Sequence, residues 1–537
     1  MYKNIQLLDC TLRDGAYITA SQFGESAIRG IIKKLQDANV NIIECGWLKD
    51  KEYTNGSTFY HIPSDMEQYL QGKDSNVTYV AMIDWDRYDL SQLPVCDGRS
   101  VDAIRIVFPK EKFKEGIALG DIVKSKGYKV FFQAANTLAY SDEELLLLAK
   151  EVNAAKPEAL SVVDTFGAMY QDDLDRILFL LNNNLDKGIG LGFHSHNNQQ
   201  LSFALSQRFV DKLAYTGRRI IVDSSLCGMG RGAGNTTTEL MASYLNRKYS
   251  GNYDLNSILD SIDTYMSHFK ERFSWGYSTN YFISGMYCAH VNNIAYLMEN
   301  HRTNAKDMRN IIESLSPAER KKYDYDLLEQ KYVDYQSKKV DDETVMTDLK
   351  KQFREKNVLL ISPGKTMISQ EEKISQYIEK NQPIVIGINA VSNKYKYDFL
   401  FFTKSIRYDY AKDAHTDLFM PVKKIITSNV KTESAENEQI VNYSRLIKRG
   451  WENFDNATIM CLRLLNRLHV TEVALAGFDG FNSQGSNYAD SSLLAIDLGK
   501  TWEEINKEIQ DMFSYFKETS RTTMHICFVT DSIFDEQ

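Results

Sequence analysis

The feature that most constrains this chain is the alternation, through its first 250 residues, of short β-branched runs with longer amphipathic ones. The runs that read as strands are Ile5–Asp9, Asn41–Glu44, Val77–Ile83, Ala103–Phe108, Lys129–Gln133, Leu160–Val163, Ile189–His194 and Arg219–Asp223. Apolar residues at helical spacing fill the intervals, as at Glu25–Ala38, Asp142–Ala155, Asp172–Asn183 and Asn198–Ala214. Strands joined by helix-length crossovers pair in parallel, and strands this apolar need cover on both faces. Eight of them predict a closed (β/α)8 barrel, with an open doubly wound sheet as the alternative. The barrel is preferred because chemically useful residues recur at the carboxyl ends of the strands. Arg13 and Asp14 follow the first strand, Glu44 closes the second, and Asp84 follows the third. Asp164 and Thr165 follow the sixth, His194 and His196 end the seventh, and Asp223 ends the eighth. A barrel gathers all these ends on one rim, where catalytic loops lie.

His194-Ser195-His196 has the spacing that turns two strand residues to one side, so both imidazoles can meet one ion. Alone, such a pair is as compatible with loop or core histidines. On the shared rim it meets the carboxylate of Asp14, and Asn235 could add an amide oxygen. Oxygen and nitrogen ligands without thiolate suit an octahedral divalent ion, Mn²⁺, Mg²⁺ or Co²⁺, with positions left for substrate. Zn²⁺ usually prefers fewer ligands, though it is not excluded. An ion there would polarise a 2-oxo acid, and Arg13 beside it could hydrogen-bond the developing oxyanion. Arg105, on the fourth predicted strand, is a further candidate for substrate binding.

These motifs together resemble the DRE-TIM metallolyase superfamily. They are Leu12-Arg13-Asp14-Gly15, Ile42-Ile43-Glu44, Asp164-Thr165-Phe166-Gly167, His194-Ser195-His196-Asn197 and Gly228-Met229-Gly230-Arg231-Gly232-Ala233-Gly234-Asn235. The group includes 4-hydroxy-2-oxovalerate aldolase, hydroxymethylglutaryl-CoA lyase, and the isopropylmalate and homocitrate synthases. The resemblance covers roughly the first 290 residues. It implies that Asp14, His194, His196 and Asn235 are metal ligands, that Arg13 stabilises an enolate with Glu44 as its partner, and that Thr165 contacts the substrate carboxylate unless it is a helix cap. It also implies a homo-oligomer. One departure stands out. The hydroxy-oxovalerate aldolases carry an acid/base histidine three residues after the metal aspartate; here that position is Tyr17. Tyr17 could transfer a proton or only orient substrate. The spacing of Gly276-Tyr277 and Tyr281 is similar to a segment of the aldolase's helical extension in which a tyrosine reaches the active site, so Tyr277 and Tyr281 are further catalytic candidates.

Beyond the barrel, Leu255–Phe273 and about Ser284–Asn300 read as helices, His290 and His301 as structural or exposed, and Glu319–Lys350 as charged surface helix and linker. The chain thus divides into a barrel (1–250), an extension and linker (251–350), and a second domain (351–537). That domain shows strands at Val358–Ile361, Ile384–Asn389, Tyr397–Phe402, Lys424–Thr427, Glu472–Ala476 and His525–Val529, a Rossmann-like parallel sheet. Gly364-Lys365-Thr366 lacks the upstream glycine of a Walker A loop, since position 359 is Leu, and G-x-G-x-x-G is absent. Neither NTPase activity nor NAD binding is expected. The layout faintly resembles the pterin-pyrophosphokinase-like and sialyltransferase-like domains of bacterial surface-sugar pathways, which would place Gly364, Asn389 and Asp479 in a nucleotide or nucleotide-sugar cleft.

The formal net charge of -9 argues against a general nucleic-acid binder. The seven cysteines form no C-x-x-C pair and read as reduced thiols; with no signal-peptide layout and no apolar run of membrane-spanning length, the expectation is a cytoplasmic protein. The function expected is a divalent-metal-dependent aldolase or carbon–carbon lyase working through a pyruvate-type enolate, with an aldehyde or sugar acceptor, in sugar or surface-polysaccharide metabolism. The alternatives are a Claisen-type acyl-CoA synthase, disfavoured because the Gly-Glu-Gln that normally follows the arginine–aspartate pair is missing, and a metal-containing barrel that serves as scaffold for the second domain.

Overall fold

A computed structural model describes residues 4–299, 303–336, 340–430, 432, 437–448, 450–451, 456–482, 487–493, 501–520 and 523–535. His301 and the end of the predicted 284–300 helix lie outside them. The chain forms two compact units, Met1–Ile294 with Leu315–Tyr323, and Ala295–Ser314 with Asp324–Gln537. The stretch read as extension and linker is therefore shared between the two.

In the first unit the strands are β1 (Ile5–Asp9), β2 (Ile42–Leu48), β3 (Phe59–Tyr60), β4 (Thr78–Asp84), β5 (Ala103–Phe108), β6 (Lys129–Ala134), β7 (Ala159–Asp164), β8 (Gly190–Ser195) and β9 (Ile220–Ser224). All pairings are parallel, and β1 bonds to both β9 and β2, which closes eight strands into a (β/α)8 barrel; the two-residue β3 adds to β2 outside the ring. Successive side chains alternate between two layers. Leu8, Ile42, Val80, Ala103, Phe131, Ala159 and Ile221 pack together inside the barrel. Their neighbours Leu7, Ile43, Tyr79, Ile104, Val130, Leu160 and Val222 join the larger core under the helices. Burial on both faces is why these strands read as unbroken apolar runs.

Each predicted barrel strand is present, and the deviations have local causes. Strand β2 continues past Glu44 to Leu48 through an irregularity at Glu44/Gly46. Gly46 has φ +150° and a side chain there would meet the Thr58 carbonyl at 2.2 Å, so the glycine that looks like a strand end serves as a bulge. The helix expected from Asn198 begins at Ser202, because Asn198 is spent on tying loops together: its amide donates to Phe166 O (3.0 Å) and accepts from Ala233 N (2.9 Å). The helix expected over 284–300 is two, Thr279–Met286 and Val291–Glu299. Cys288 between them takes φ +48°, and His290 Nδ1 accepts from Asn292 N (3.1 Å) at the start of the second.

The second unit holds β10 (Val358–Ile361), β11 (Ile384–Ile388), β12 (Phe399–Phe402), β13 (Lys423–Thr427), β14 (Glu438–Val441), β15 (Glu472–Ala476) and β16 (His525–Phe528), all parallel, in the order β14-β13-β12-β11-β10-β15-β16. Strand β14 was not expected; its Glu-Gln-Ile-Val is half polar and lies at the sheet edge, where only one neighbour must be satisfied. No helix among the described residues is long and apolar enough to cross a membrane.

Asp9 closes the first barrel strand in full burial, accepting from Thr11 N (2.9 Å) and Thr238 Oγ1 (2.6 Å). Burial lifts its carboxyl to about 6, against the pull of those hydrogen bonds. A carboxyl raised on folding holds its proton more tightly in the folded state, so its contribution falls as pH rises from the unfolded value through 6. Asp9→Asn should therefore gain stability relative to the parent between pH 5 and pH 8, on the order of 1 kcal/mol by linkage. Thermal melts of both proteins at the two pH values check this; a difference independent of pH would contradict it.

Candidate metal centre

The rim carries the cluster that the sequence implied. Ligand atoms of Asp14, His194 and His196 all lie within 4.8 Å of one another. Asp14 sits at the end of a one-turn helix, Thr11–Asp14, directly after β1, and His194 is in β8. Asn235 is brought alongside by a bridge to His196 and donates Nδ2 to Asp14 Oδ2 (2.6 Å) and to Met229 O (3.1 Å). Its Oδ1 is buried with no hydrogen-bond partner among the described residues. Gly230 closes against the pair so tightly that a Cβ would fall 2.5 Å from Asp14 Oδ2. A carboxylate, two imidazoles and an orphaned amide oxygen in one cradle fit a divalent ion.

Electrostatics prepare the ligands. Burial raises the cost of the Asp14 charge, but the Arg13 guanidinium and both imidazoles outweigh it and hold the carboxyl well below the usual range. Burial likewise pushes His196 down to about 4 despite the attraction of Asp14, which leaves the neutral imidazole a metal needs.

Beneath the cluster runs a sealed chain of charges. Arg13 gives Nη1 to Asp14 Oδ1 and Nε to Glu44 Oε2, both at 2.7 Å. Glu44 Oε2 lies 2.9 Å from Arg105 Nη1, and Arg105 Nη2 reaches Asp223 Oδ2 (2.5 Å) and Gln133 Oε1 (2.9 Å). Asp223 Oδ2 stands 3.1 Å from His194 Nδ1. Burial opposes the Asp223 charge, but Arg105 and then His194 keep its carboxyl below the ordinary range. Arg105, expected to bind substrate, is 1% exposed and spent on this chain; it organises the floor of the site.

Tyr17 lies on the turn after Asp14, edge-on to Trp47 at 5.9 Å, with the Arg231 guanidinium 3.4 Å over its ring. Burial pushes its phenol up to about 12, with Arg231 pulling the other way, so it is protonated at neutral pH. Arg231 has no carboxylate partner among the described residues. Thr165 caps no helix; its hydroxyl oxygen accepts from Asn136 N (2.7 Å), which leaves its proton to give. Tyr277 is 59% exposed, and Tyr281 is half-buried in the first turn of helix Thr279–Met286. His290, read as structural or exposed, instead stands near the site. Burial, then the charges of Arg231 and His196, depress its imidazole to about 3, and its ring meets Phe166 and Tyr323 at 6.4 and 4.8 Å.

In the second unit, Gly364, Asn389 and Asp479 line one cavity. Asn389 is engaged with Thr403, donating to Oγ1 (3.1 Å) and accepting from N (2.9 Å). Asp479 accepts from Thr366 N (2.8 Å) and from its hydroxyl.

Sequence reasoning gave no role to Asp223, Arg231 or His290. Asp223 had a signal, a carboxylate ending the strand beside the histidine strand. Arg231 had one too, a lone cation inside a glycine-rich loop. His290 had none, since only the break at Cys288 places it.

The fold and site define a (β/α)8 barrel with a candidate metal centre and a buried arginine beside it. Residues 109–264 match the HMGL-like family model. The chain is 26% identical to an oxaloacetate decarboxylase of Mycobacterium tuberculosis over 260 residues, 48% of this chain and 74% of that protein. It is 25% identical to 4-hydroxy-2-oxovalerate aldolase 6 of Rhodococcus jostii over 277 residues, 50% of this chain and 75% of that one. A solved N-terminal domain from Bacteroides vulgatus, described as that of an aldolase, superposes with a TM-score of 0.48 at 26% identity, over 54% of this chain and 95% of its own. The barrel thus carries an HMGL-like match over residues 109–264, and the relatives it aligns with are named as enzymes that make or break carbon–carbon bonds.

Because Arg105 lies between two buried carboxylates, removing its charge leaves Asp223 without its cation and Glu44 with Arg13 alone, at a cost of about 3–5 kcal/mol. Arg105→Met should destabilise the barrel on that scale in denaturant unfolding, whereas a loss under about 1 kcal/mol would show the ion chain to be dispensable.

Proposed function

We propose that the barrel is a divalent-metal-dependent aldolase that makes or breaks a carbon–carbon bond through the enolate of a pyruvate-type 2-oxo acid, with Mn²⁺ or Mg²⁺ favoured and Co²⁺ or Zn²⁺ admissible. The observation that carries this reading is the junction of two features: a three-ligand cluster with an orphaned Asn235 oxygen, and the Arg13 guanidinium locked beside it by Asp14 and Glu44. The relatives' names, an oxaloacetate decarboxylase and hydroxy-oxovalerate aldolases, share a 2-oxo acid whose bond cleavage leaves an enolate.

Asp14, His194 and His196 would hold the ion, with Asn235 orienting Asp14 or joining as a further ligand. When bound, the ion supplies a Lewis acid that polarises the 2-oxo group. Arg13 gives its Nε and Nη1 to carboxylates, so Nη2 is the part of its fork available to the enolate oxygen as charge develops there. Thr165, with its proton uncommitted, can donate to the substrate carboxylate.

Tyr17 supplies the proton chemistry. In the condensing direction its phenol protonates the acceptor's carbonyl oxygen as the new carbon–carbon bond forms. The phenolate left behind faces the Arg231 guanidinium at 3.4 Å, which stabilises it. Cleavage runs the same steps backwards: the phenolate takes the hydroxyl proton, the bond breaks, and its electron pair enters the enolate. Neutral His290 is placed to steady the same region of the rim. The acceptor is an aldehyde, a sugar aldehyde among the candidates. Position 17 is where an acid/base histidine is absent and a cation–phenol pair, Tyr17 with Arg231, is present, and this separates the reading from the best-known aldolases.

Deuterium exchange into the methyl group of pyruvate reports enolate formation without knowledge of the acceptor. We expect exchange with Mn²⁺ that EDTA abolishes; no exchange with any divalent ion would sink the proposal. Metal analysis of Asp14→Asn and His196→Ala, at unchanged circular dichroism, should show loss of the bound ion, and full occupancy in both would overturn the ligand assignment.

Tyr17→Phe keeps the ring under Arg231 and removes only the hydroxyl. With 4-hydroxy-2-oxovalerate as probe, we expect kcat to fall by about 10²-fold or more. An unchanged kcat would reduce Tyr17 to orienting substrate.

A further inference from the structure

One buried donor on the inner wall of the barrel has no acceptor among the described residues. Gln133 is the penultimate residue of β6 and 2% exposed. Phe131, two residues earlier on the strand, packs in the interior layer, so Gln133 turns to the same side. Its Oε1 accepts from Arg105 Nη2 at 2.9 Å, while its Nε2 is buried with no hydrogen-bond partner. Turning the amide round repairs nothing, because Nε2 would then face the guanidinium donor to donor. Arg105 is itself fixed between Glu44 and Asp223, at 2.9 and 2.5 Å. The Nε2 group is therefore held on the side of the amide turned from Arg105. A buried donor left unmatched carries its full desolvation penalty, and in a native interior it marks the place of a ligand or a water.

Position and chemistry together identify the partner. The residues in register with Gln133 on the next two strands are Ser161 and Gly192. No large side chain thus stands in this layer between Gln133 and the strand that carries His194. Just past Gln133 the chain reaches Asn136, whose N–H donates to Thr165 Oγ1 at 2.7 Å. Gln133 and Thr165 therefore belong to neighbouring strand ends on one arc of the rim, and each has a proton to give. In the aldolase reaction, Arg13 Nη2 serves the 2-oxo oxygen and Tyr17 the acceptor's carbonyl oxygen. The oxygens left are those of the 2-oxo acid's carboxylate. A carboxylate accepts at roughly four lone-pair sites, of which the Thr165 hydroxyl fills one. A charged acceptor also forms the stronger bond with a buried donor.

We propose that Gln133 is a substrate-binding residue whose Nε2 donates to the carboxylate of the 2-oxo acid, together with the hydroxyl of Thr165. The inference rests on the aldolase reading of the barrel and adds a residue to it. It gives Arg105 a second consequence: by holding Oε1, the buried arginine aims the amide at the substrate without touching the substrate itself. The competing occupant is a water. Glu44 Oε1 and Asp223 Oδ1 are also buried and unpaired, and a water could accept from Gln133 while donating to one of them.

Calorimetric titration of oxamate, an unreactive isostere of pyruvate with the same carboxylate, into the Mn²⁺-loaded full chain tests this. Gln133→Met keeps the length of the side chain, leaves Arg105 its two carboxylates, and removes the donor. Its Kd for oxamate should be weaker by about tenfold or more, with its affinity for Mn²⁺ unchanged. In deuterium exchange into pyruvate the loss should fall on KM, as for a contact made equally in ground and transition states. A residue that served only to hold Arg105 would lower kcat instead. A crystal structure of the wild-type protein with Mn²⁺ and oxamate, which needs no variant to fold, should place a carboxylate oxygen within hydrogen-bond distance of Nε2. Failure of oxamate to bind the wild-type protein with any divalent ion would remove the aldolase reading and this inference with it. Binding to the wild-type protein with an unchanged Kd in folded Gln133→Met, or a complex in which only a water meets Nε2, would overturn this inference alone.

Discussion

The mouth of the barrel is governed by one buried alternation of charge, Asp14–Arg13–Glu44–Arg105–Asp223, with the His194 ring beside its last carboxylate. No member could be buried alone, because an uncompensated ion in this interior costs several kcal/mol. Each is admitted by its neighbours, and a candidate metal ligand stands at each end of the chain. Stability and chemistry are therefore one problem here. The arginine that would meet the enolate is held by the carboxylates of Asp14 and Glu44, and the histidine that would meet the ion stands beside the aspartate that neutralises Arg105.

That dependence fixes the candidate ligands far more tightly than Tyr17. Asp14, His194 and Asn235 are each fixed by hydrogen bonds or ion pairs and by glycine contacts such as Gly230. Tyr17 is held, among the described residues, by packing of its ring, against Trp47, Arg231 and the cluster of Ala16 and Met82. A side chain held by its faces can be exchanged for another flat ring without unpairing a charge. Position 17, three residues after the candidate ligand Asp14, is thus where the rim can change its side chain while the ion chain stays as it is.

Much of this was legible in the sequence because the barrel repeats one signal. Doubly buried parallel strands give unbroken apolar runs, and their carboxyl ends announce themselves with Asp14, Glu44, Asp164 and His194. What the sequence hid are the places where one residue serves two masters. Gly46 looks like a terminator and is a bulge. Asn198 looks like the first residue of a helix and is a brace between loops. Arg105 has the chemistry of a substrate clamp, but nothing in its strand reveals that Glu44 and Asp223 flank it in space. His290 was beyond reach, since its position depends on one left-handed residue, Cys288, in a segment whose apolar spacing continues through the break.

The two units form their candidate sites by different uses of the same geometry. Both place their sites at the carboxyl ends of parallel strands, where loops and helix starts converge. The barrel closes, so its strand ends form a ring and charged side chains from opposite walls can meet in the middle; that makes room for an ion chain and three ligands to one metal. The open sheet has no opposite wall. Its strand ends diverge between β10 and β15, where the strand order turns back and the cavity lined by Gly364, Asn389 and Asp479 lies. A closed sheet favours polarising a reactive carbonyl at one point, and the chemistry proposed for the barrel follows from that closure.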